Sequence, residues 1–240
     1  MTAQSLTKTL KVALICAAGV GARAGGDVPK QYQLIHGVPM LVHTVRAFER
    51  SCVDAVCVVI SPDDAWYDEC VAPLVGTAVQ VLRVGGTSRA SSVANGLLAL
   101  VEDFHGQSWV LVHDAARPCI SPSLIARLCE STTGVGGLLA VPVVDTVKKS
   151  TAHANVDVTI DRSGLWLAQT PQMFRLSQLS EALEHAFEEP DVSWITDEAS
   201  VMEWAGFSPA LVEGHVSNLK VTRADDFVLA GFWLNQLRVE

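Results

Sequence analysis

Val12 to Cys16 is a short apolar, partly β-branched run that breaks at once into the small residues Ala17, Ala18, Gly19 and Gly21. A run this short that ends in small residues reads as a buried strand feeding a loop. The same unit recurs along the chain. Ala55 to Ile60, Ala78 to Val84, Trp109 to His113 and Leu138 to Val144 are strand-like. They alternate with helical segments at Met40 to Arg50, from Asp63 and Asp64 to about Val75, at Ala90 to Asp103 and at Pro122 to Ser131. This alternation predicts an α/β fold with a mostly parallel sheet covered on both faces. At 240 residues and 49% hydrophobic composition the chain can fill one large core, and residues 1–240 are expected to form a single domain.

The alternation stops between Asp145 and Gly164. DTVKKSTAHANVDVTIDRSG is polar, contains β-branched pairs and has the turn-prone Ala154-Asn155 in its middle. A projecting β-hairpin is expected over about 143–164. A hairpin of that length needs something to pack on, most simply the same hairpin of a second copy; a solvated loop is the competing reading. Beyond it, Trp166 to Gln169 returns to the sheet and Thr170-Pro171-Gln172 reads as a turn. Gln178 to Glu188 and Thr196 to Ala205 read as helices, the second with Thr196 as cap. Ala210 to Glu213 and Asn218 to Val221 read as strands, and Ala224 to Val239 as a final amphipathic helix.

Loops at the carboxyl ends of parallel strands are where such sheets bind ligands. In the first, backbone N–H groups of Ala17, Ala18, Gly19 and Gly21 can approach an anion closely, and Arg23 and Lys30 add positive charge suited to a triphosphate. Gly19-x-Gly21-x-x-Ala24 also satisfies the letter of the dinucleotide fingerprint, but the acidic residue expected about 20 positions on is missing, because the next strand-like run ends at Ser61-Pro62-Asp63. No Gly-Lys-Ser/Thr closes the loop as in a Walker A motif. A Gly-rich turn that only packs strand on helix remains open. In the next loop, Val84 to Arg89, Gly86 can let a flat base lie on the backbone and Ser92 can hydrogen-bond it, while Ser88 reads as a helix cap. After the strand ending at His113, Asp114 can bind a ribose hydroxyl or lie in the shell of a Mg²⁺ ion; a plain ion pair with Arg117 is the alternative. His113 reads as a packed strand residue, since one histidine without a nucleophile makes no dyad. Lys220 can point at the same crevice.

The formal charge of −9 argues against non-specific nucleic-acid binding, so the few cations must be focused in one place to bind an anion. Lys8 to Gly19 has the outline of a secretory signal, but its apolar run is at the short end of the range and its small residues belong to the loop. No run approaches a membrane span. The six cysteines form no CxxC pair. They are expected to be reduced core thiols of a cytoplasmic protein.

The series AAGVGAR, PKQY, HGVPML, VGGTSRASSV, VHDAARP, DTVK, DRSGLWLAQTPQMF, TDEASVMEWAGFSP and VEGHVSNLKVT runs in order through nearly the whole chain. It resembles the 2-C-methyl-D-erythritol 4-phosphate cytidylyltransferases of non-mevalonate isoprenoid biosynthesis. The resemblance implies a Rossmann-like, doubly wound nucleotidyltransferase domain that dimerises through the β-arm. It also implies use of CTP and Mg²⁺, release of pyrophosphate, and formation of 4-diphosphocytidyl-2-C-methyl-D-erythritol. It assigns catalysis to Arg23, Lys30, Arg162 and Lys220. Ala17, Ala18, Gly19, Gly21, Gly86, Ser92, Asp114 and Ala115 would hold the nucleotide. Asp114, Arg117, Thr146, Arg162 and Lys220 would hold the polyol phosphate, Thr146 and Arg162 reaching over from the partner's arm, and Asp114 is the candidate metal ligand. The sequence departs from the family pattern at Ala22, Ala24 and Thr87. The rivals are a cytidylyltransferase for another polyol phosphate such as ribitol 5-phosphate, a non-catalytic nucleotide-binding module, and a nicotinamide dehydrogenase.

Overall fold

The computed structural model describes residues 9–19 and 28–237. Seven strands form one sheet: β1 (Lys11–Cys16), β4 (Ala55–Val59), β5 (Gln80–Leu82), β6 (Trp109–Asp114), β7 (Gly136–Pro142), β10 (Trp166–Arg175) and β11 (Ala210–Glu213). Their order is β11-β7-β10-β6-β1-β4-β5. All neighbours are parallel except β10, which runs antiparallel to both β6 and β7. The expected mostly parallel sheet is therefore present.

Alternate residues of the central strands enter different cores, which is why these strands read as unbroken apolar runs. Ala13 and Ile15 of β1 and Val56 and Val58 of β4 face α1 (Met40–Glu49) and α4 (Pro122–Ser131). Val12, Leu14, Cys57 and Val59 face α3 (Arg89–Asp103), α5 (Leu176–Ala186) and α6 (Glu198–Trp204). A third cluster joins α7 (Ala224–Gln236) to the small hairpin of β2 (Leu34–Ile35) and β3 (Val38–Pro39). That hairpin, turned by His36 and Gly37 with positive φ, has too few residues to leave a period-2 signal.

Several sequence expectations are corrected. The helix expected from Asp63 and Asp64 to about Val75 is broken into α2 (Tyr67–Cys70) and a 3-10 turn at Ala72–Leu74, with Pro73 in its middle. Thr170-Pro171-Gln172 is not a turn: β10 runs through it, with a shift of register between Ala168 and Gln172 on the β7 side. The cap of α6 is Asp197, whose side chain accepts from the Ser200 N–H, rather than Thr196. Asn218 to Val221 is no strand. Its one sheet-like bond is the Val221 N–H donating to the Ala116 carbonyl at 2.8 Å.

The arm is a two-stranded antiparallel hairpin, β8 (Val147–Ser150) with β9 (Val156–Ile160), separate from the main sheet. Its tip turns through Ala154 at φ 57°, at the turn expected for Ala154-Asn155.

Candidate active site

Successive strands are laid outward on one side of β1 as far as β5, and the chain then returns to place β6 on the other side of β1. Reversal of this kind opens a crevice at the carboxyl ends of the two strands on either side of it. Cys16 and Asp114 are register partners there. A cavity of about 600 Å³ occupies the crevice, large enough for a nucleotide. Ala17, Ala18 and Gly19 line it from the β1 loop, Gly86 and Ser92 from the α3 loop, and Asp114 and Ala115 from the β6 loop, with Lys30 and Lys220 completing the wall.

The two glycine-bearing loops abut. A Cβ on Gly85 would collide with the Cβ of Ala18 and the carbonyl oxygen of Ile60, and one on Gly86 with the hydroxyl of Ser91. The Gly86 N–H donates to Ser92 Oγ at 3.0 Å, and Ser92 Oγ donates to the Ser88 carbonyl at 2.8 Å. Ser92 thus shapes the loop as well as bordering the cavity. Ser88 caps α3, as expected.

Asp114 is the electrostatic centre. Its Oδ1 accepts from Arg89 Nε at 2.7 Å, its Oδ2 lies 2.9 Å from Lys220 Nζ, and Arg117 Nε stands 3.7 Å from Oδ2. Burial would raise its pKa, but Arg89 and then Lys220 overcome that and hold the carboxyl well below the usual range, so it is ionised. The Asp114–Arg117 pair proposed as the plain alternative is therefore real, but it is the longest of the three contacts. Arg117 also donates to the Asn218 carbonyl at 2.7 Å. Lys30, on a 3-10 turn at Lys30–Tyr32, donates to the Val221 carbonyl at 2.7 Å, next to Lys220. Among the described residues Arg89, Arg117 and Lys220 thus stand against two carboxylates, Asp114 and Glu198, with Lys30 on the same cavity wall as Lys220, although the chain as a whole is acidic.

His113 is fully buried, and burial pushes its pKa down to about 3. The neutral ring accepts from Thr170 Oγ1 at Nδ1, 3.0 Å, and donates from Nε2 to the Arg117 carbonyl, 3.3 Å, a tautomer set by these partners. Thr170 Oγ1 in turn accepts the Asp114 N–H at 3.1 Å. The packed role read for His113 is what the structure shows.

Gly21 and Arg23, with the departures Ala22 and Ala24, lie outside the described residues. Thr146 and Arg162 are exposed at the base of the arm and do not line the cavity of the single chain. Glu198, for which the sequence carries no signal, is 3% exposed and grips the Arg89 fork at 2.7 and 3.1 Å. Thr-Asp-Glu-Ala-Ser reads locally as a helix start, and nothing in it signals a partner so far away. Gln172 was equally hidden. Its amide nitrogen donates to Asp197 Oδ2 at 2.8 Å and its oxygen accepts the Ala199 N–H at 2.7 Å, fixing the start of α6 against β10.

Residues 11–236 match the family model of 2-C-methyl-D-erythritol 4-phosphate cytidylyltransferase. The chain belongs to that family. It is 49% identical over 222 residues to the enzyme of that name from Chromobacterium violaceum, covering 91% of this chain and 95% of the relative. It is 48% identical over 239 residues to the one from Ralstonia nicotianae, covering 96% and 94%. Among solved structures, a 4-diphosphocytidyl-2C-methyl-D-erythritol synthase superposes with a TM-score of 0.82 at 38% identity, over 95% of this chain and 99% of that one. The Francisella tularensis cytidylyltransferase does so with a TM-score of 0.79 at 35% identity, over 94% and 100%. The family is one of nucleotidyltransferases, and its fold agrees with the doubly wound sheet found here.

Proposed function

We propose that this chain transfers the cytidylyl group of CTP to 2-C-methyl-D-erythritol 4-phosphate, giving 4-diphosphocytidyl-2-C-methyl-D-erythritol and pyrophosphate. The observation that carries the reading is the convergence of Lys30, Arg89 and Lys220 with Asp114 on one nucleotide-sized cavity, Arg89 and Lys220 both bonded to Asp114. In this reading the triphosphate lies along Ala17 to Gly19, with Arg23 and Lys30 neutralising the charge that builds on the leaving pyrophosphate. Cytosine and ribose lie toward Gly86, Ser92, Asp114 and Ala115.

The acceptor phosphate oxygen forms a bond to the α-phosphorus as the bond from that phosphorus to the bridging oxygen breaks. The electron pair leaves with pyrophosphate. A phosphate nucleophile is already ionised, so no general base is required. The neutral, inward-bonded His113 and the ionised, cation-bound Asp114 agree with that. The protein's task is alignment of two anions and neutralisation of their charge.

Among the described residues no group of three or more His, Cys, Asp or Glu side chains could cage a metal. Among the described residues Asp114 is the single carboxylate lining the cavity. That donor set suits a Mg²⁺ carried on the triphosphate and touched by at most one protein oxygen. When bound there, Mg²⁺ would supply Lewis-acid neutralisation of phosphate oxygens.

We further propose that the arm pairs with that of a second copy and brings Thr146 and Arg162 to the partner's acceptor phosphate. Val156, Val158 and Leu167 are exposed apolar side chains on or beside it. All six cysteines are free, and no helix among the described residues is long and apolar enough to cross a membrane. A reducing, cytoplasmic setting is proposed on the thiols. The test is incubation with CTP, Mg²⁺ and a panel of polyol phosphates while pyrophosphate is measured. Release with ribitol 5-phosphate and none with the methylerythritol phosphate would replace this assignment, and no release with any acceptor would favour a binding module.

A further inference from the structure

Arg89 is the first residue of α3, where the helix dipole disfavours a cation. It is held there by two carboxylates from distant elements, Asp114 at the end of β6 and Glu198 in the first turn of α6. The way it divides itself between them is unequal. Both terminal nitrogens go to Glu198, at 2.7 and 3.1 Å, and only Nε reaches Asp114, at 2.7 Å. A guanidinium facing a carboxylate usually takes both of its oxygens through parallel N–H bonds. Here the fork is already spent, so one Asp114 oxygen, Oδ2, is left for Lys220 at 2.9 Å.

Glu198 itself does not line the cavity. Its backbone is fixed from behind: Asp197 caps α6, and Gln172 of β10 bonds both Asp197 and the Ala199 N–H. We propose that Glu198 is a positioning residue for cytidylyl transfer. By occupying the Arg89 fork it keeps Arg89 from taking both oxygens of Asp114, and so holds Asp114 Oδ2 available to fix the Lys220 ammonium at the cavity wall. The proposal rests on the function given above for its consequence in turnover, and on geometry alone for its consequence at Lys220.

Two readouts separate these. Glu198→Gln keeps the shape of the side chain but removes the charge that holds the fork. Arg89 then turns onto Asp114 with two N–H bonds, and Lys220 is released. An amine-specific reagent attacks the deprotonated amine, a form that pairing with a carboxylate disfavours, so labelling of Lys220, followed by peptide mass spectrometry, is expected to rise severalfold without any substrate present. Turnover is expected to fall by about tenfold or more, mainly in kcat, because a misplaced charge spoils alignment. The double variant Arg89→Gln with Glu198→Gln removes the competitor as well, leaves the buried charges balanced, and should return Lys220 labelling to the wild-type rate. Its thermal midpoint and that of the single variant establish that both are folded. Unchanged Lys220 labelling in Glu198→Gln, or raised labelling that the double variant does not reverse, overturns the proposal. If the wild-type protein fails to turn over CTP with any acceptor while the variants show this labelling pattern, the assigned reaction falls and the positioning of Lys220 by Glu198 stands.

Discussion

The Lys220 ammonium lies 2.9 Å from Oδ2 of Asp114, although one sits on an irregular loop near the end of the chain and the other ends a central strand. Asp114 is 6% exposed and is shared by Arg89, Lys220 and Arg117. Asp114→Asn strips the common counter-charge from three cations. It is expected to cost about 3 kcal/mol of stability, the scale for breaking a buried ion pair. It should also lower kcat/KM by about 10² in a cytidylyl-transfer assay. Chemical denaturation and initial-rate kinetics measure the two effects separately.

Lys30 is fixed by its bond to the Val221 carbonyl, so its charge is in place before the nucleotide arrives. Lys30→Ala should lower kcat by about 10² or more, by analogy with the loss of an oxyanion donor. Near-normal turnover in that variant would remove Lys30 from the mechanism.

His113 makes stability depend on pH below neutrality. Its folded pKa, pushed down to about 3 by burial, lies below the ordinary 6.5. Between these values the unfolded chain binds a proton that the folded one refuses, so stability rises with pH across that window and is lost as pH falls through it, by up to about 1.4 kcal/mol per unit. His113→Gln, whose amide can still meet Thr170 and Arg117, should flatten the difference in unfolding free energy between pH 6.5 and pH 4. A variant with the wild-type slope would show that other groups carry it. Asp114 acts lower. Its depressed pKa contributes stability that is full above the ordinary carboxyl value and is lost as pH falls below it.

Gly85 is where two cavity loops touch, its missing Cβ aimed at Ala18 and the Ile60 carbonyl. Gly85→Val should push these loops apart, costing about 1–3 kcal/mol and weakening CTP binding more than acceptor binding. Equilibrium titration with CTP reads the first effect, and KM for the acceptor the second.

On the arm, Val156 and Val158 are 64% and 46% exposed on β9, Val158 opposite Lys149 of β8 and Val156, beyond a shift of register, opposite Ser150. Val158→Asp should convert a dimer into monomers in sedimentation experiments and abolish most turnover while leaving CTP binding intact. A wild-type protein that sediments as a monomer with full activity would remove the arm from the site.

Local patterning wrote most of the elements directly into the chain. The apolar runs around Leu14, Val58 and Leu111 and the stripe of Leu41, Val42, Val45 and Phe48 mark strands and a helix because the burial period is a local property. The loops after β1, β5 and β6 followed from parallel-sheet topology, and Ala17, Gly86 and Asp114 could be named from it. What local pattern could not reveal is what meets across the fold. Pro171 reads as a turn in isolation, yet β10 carries it through the sheet between β6 and β7 and so brings Thr170 and Gln172 beneath the site. Glu198 reads as part of a helix cap, and Lys220 as a residue on a closing strand. Only the order of strands seats both against Asp114 and Arg89, because Coulomb attraction depends on separation in space, and that separation is fixed by the packed sheet.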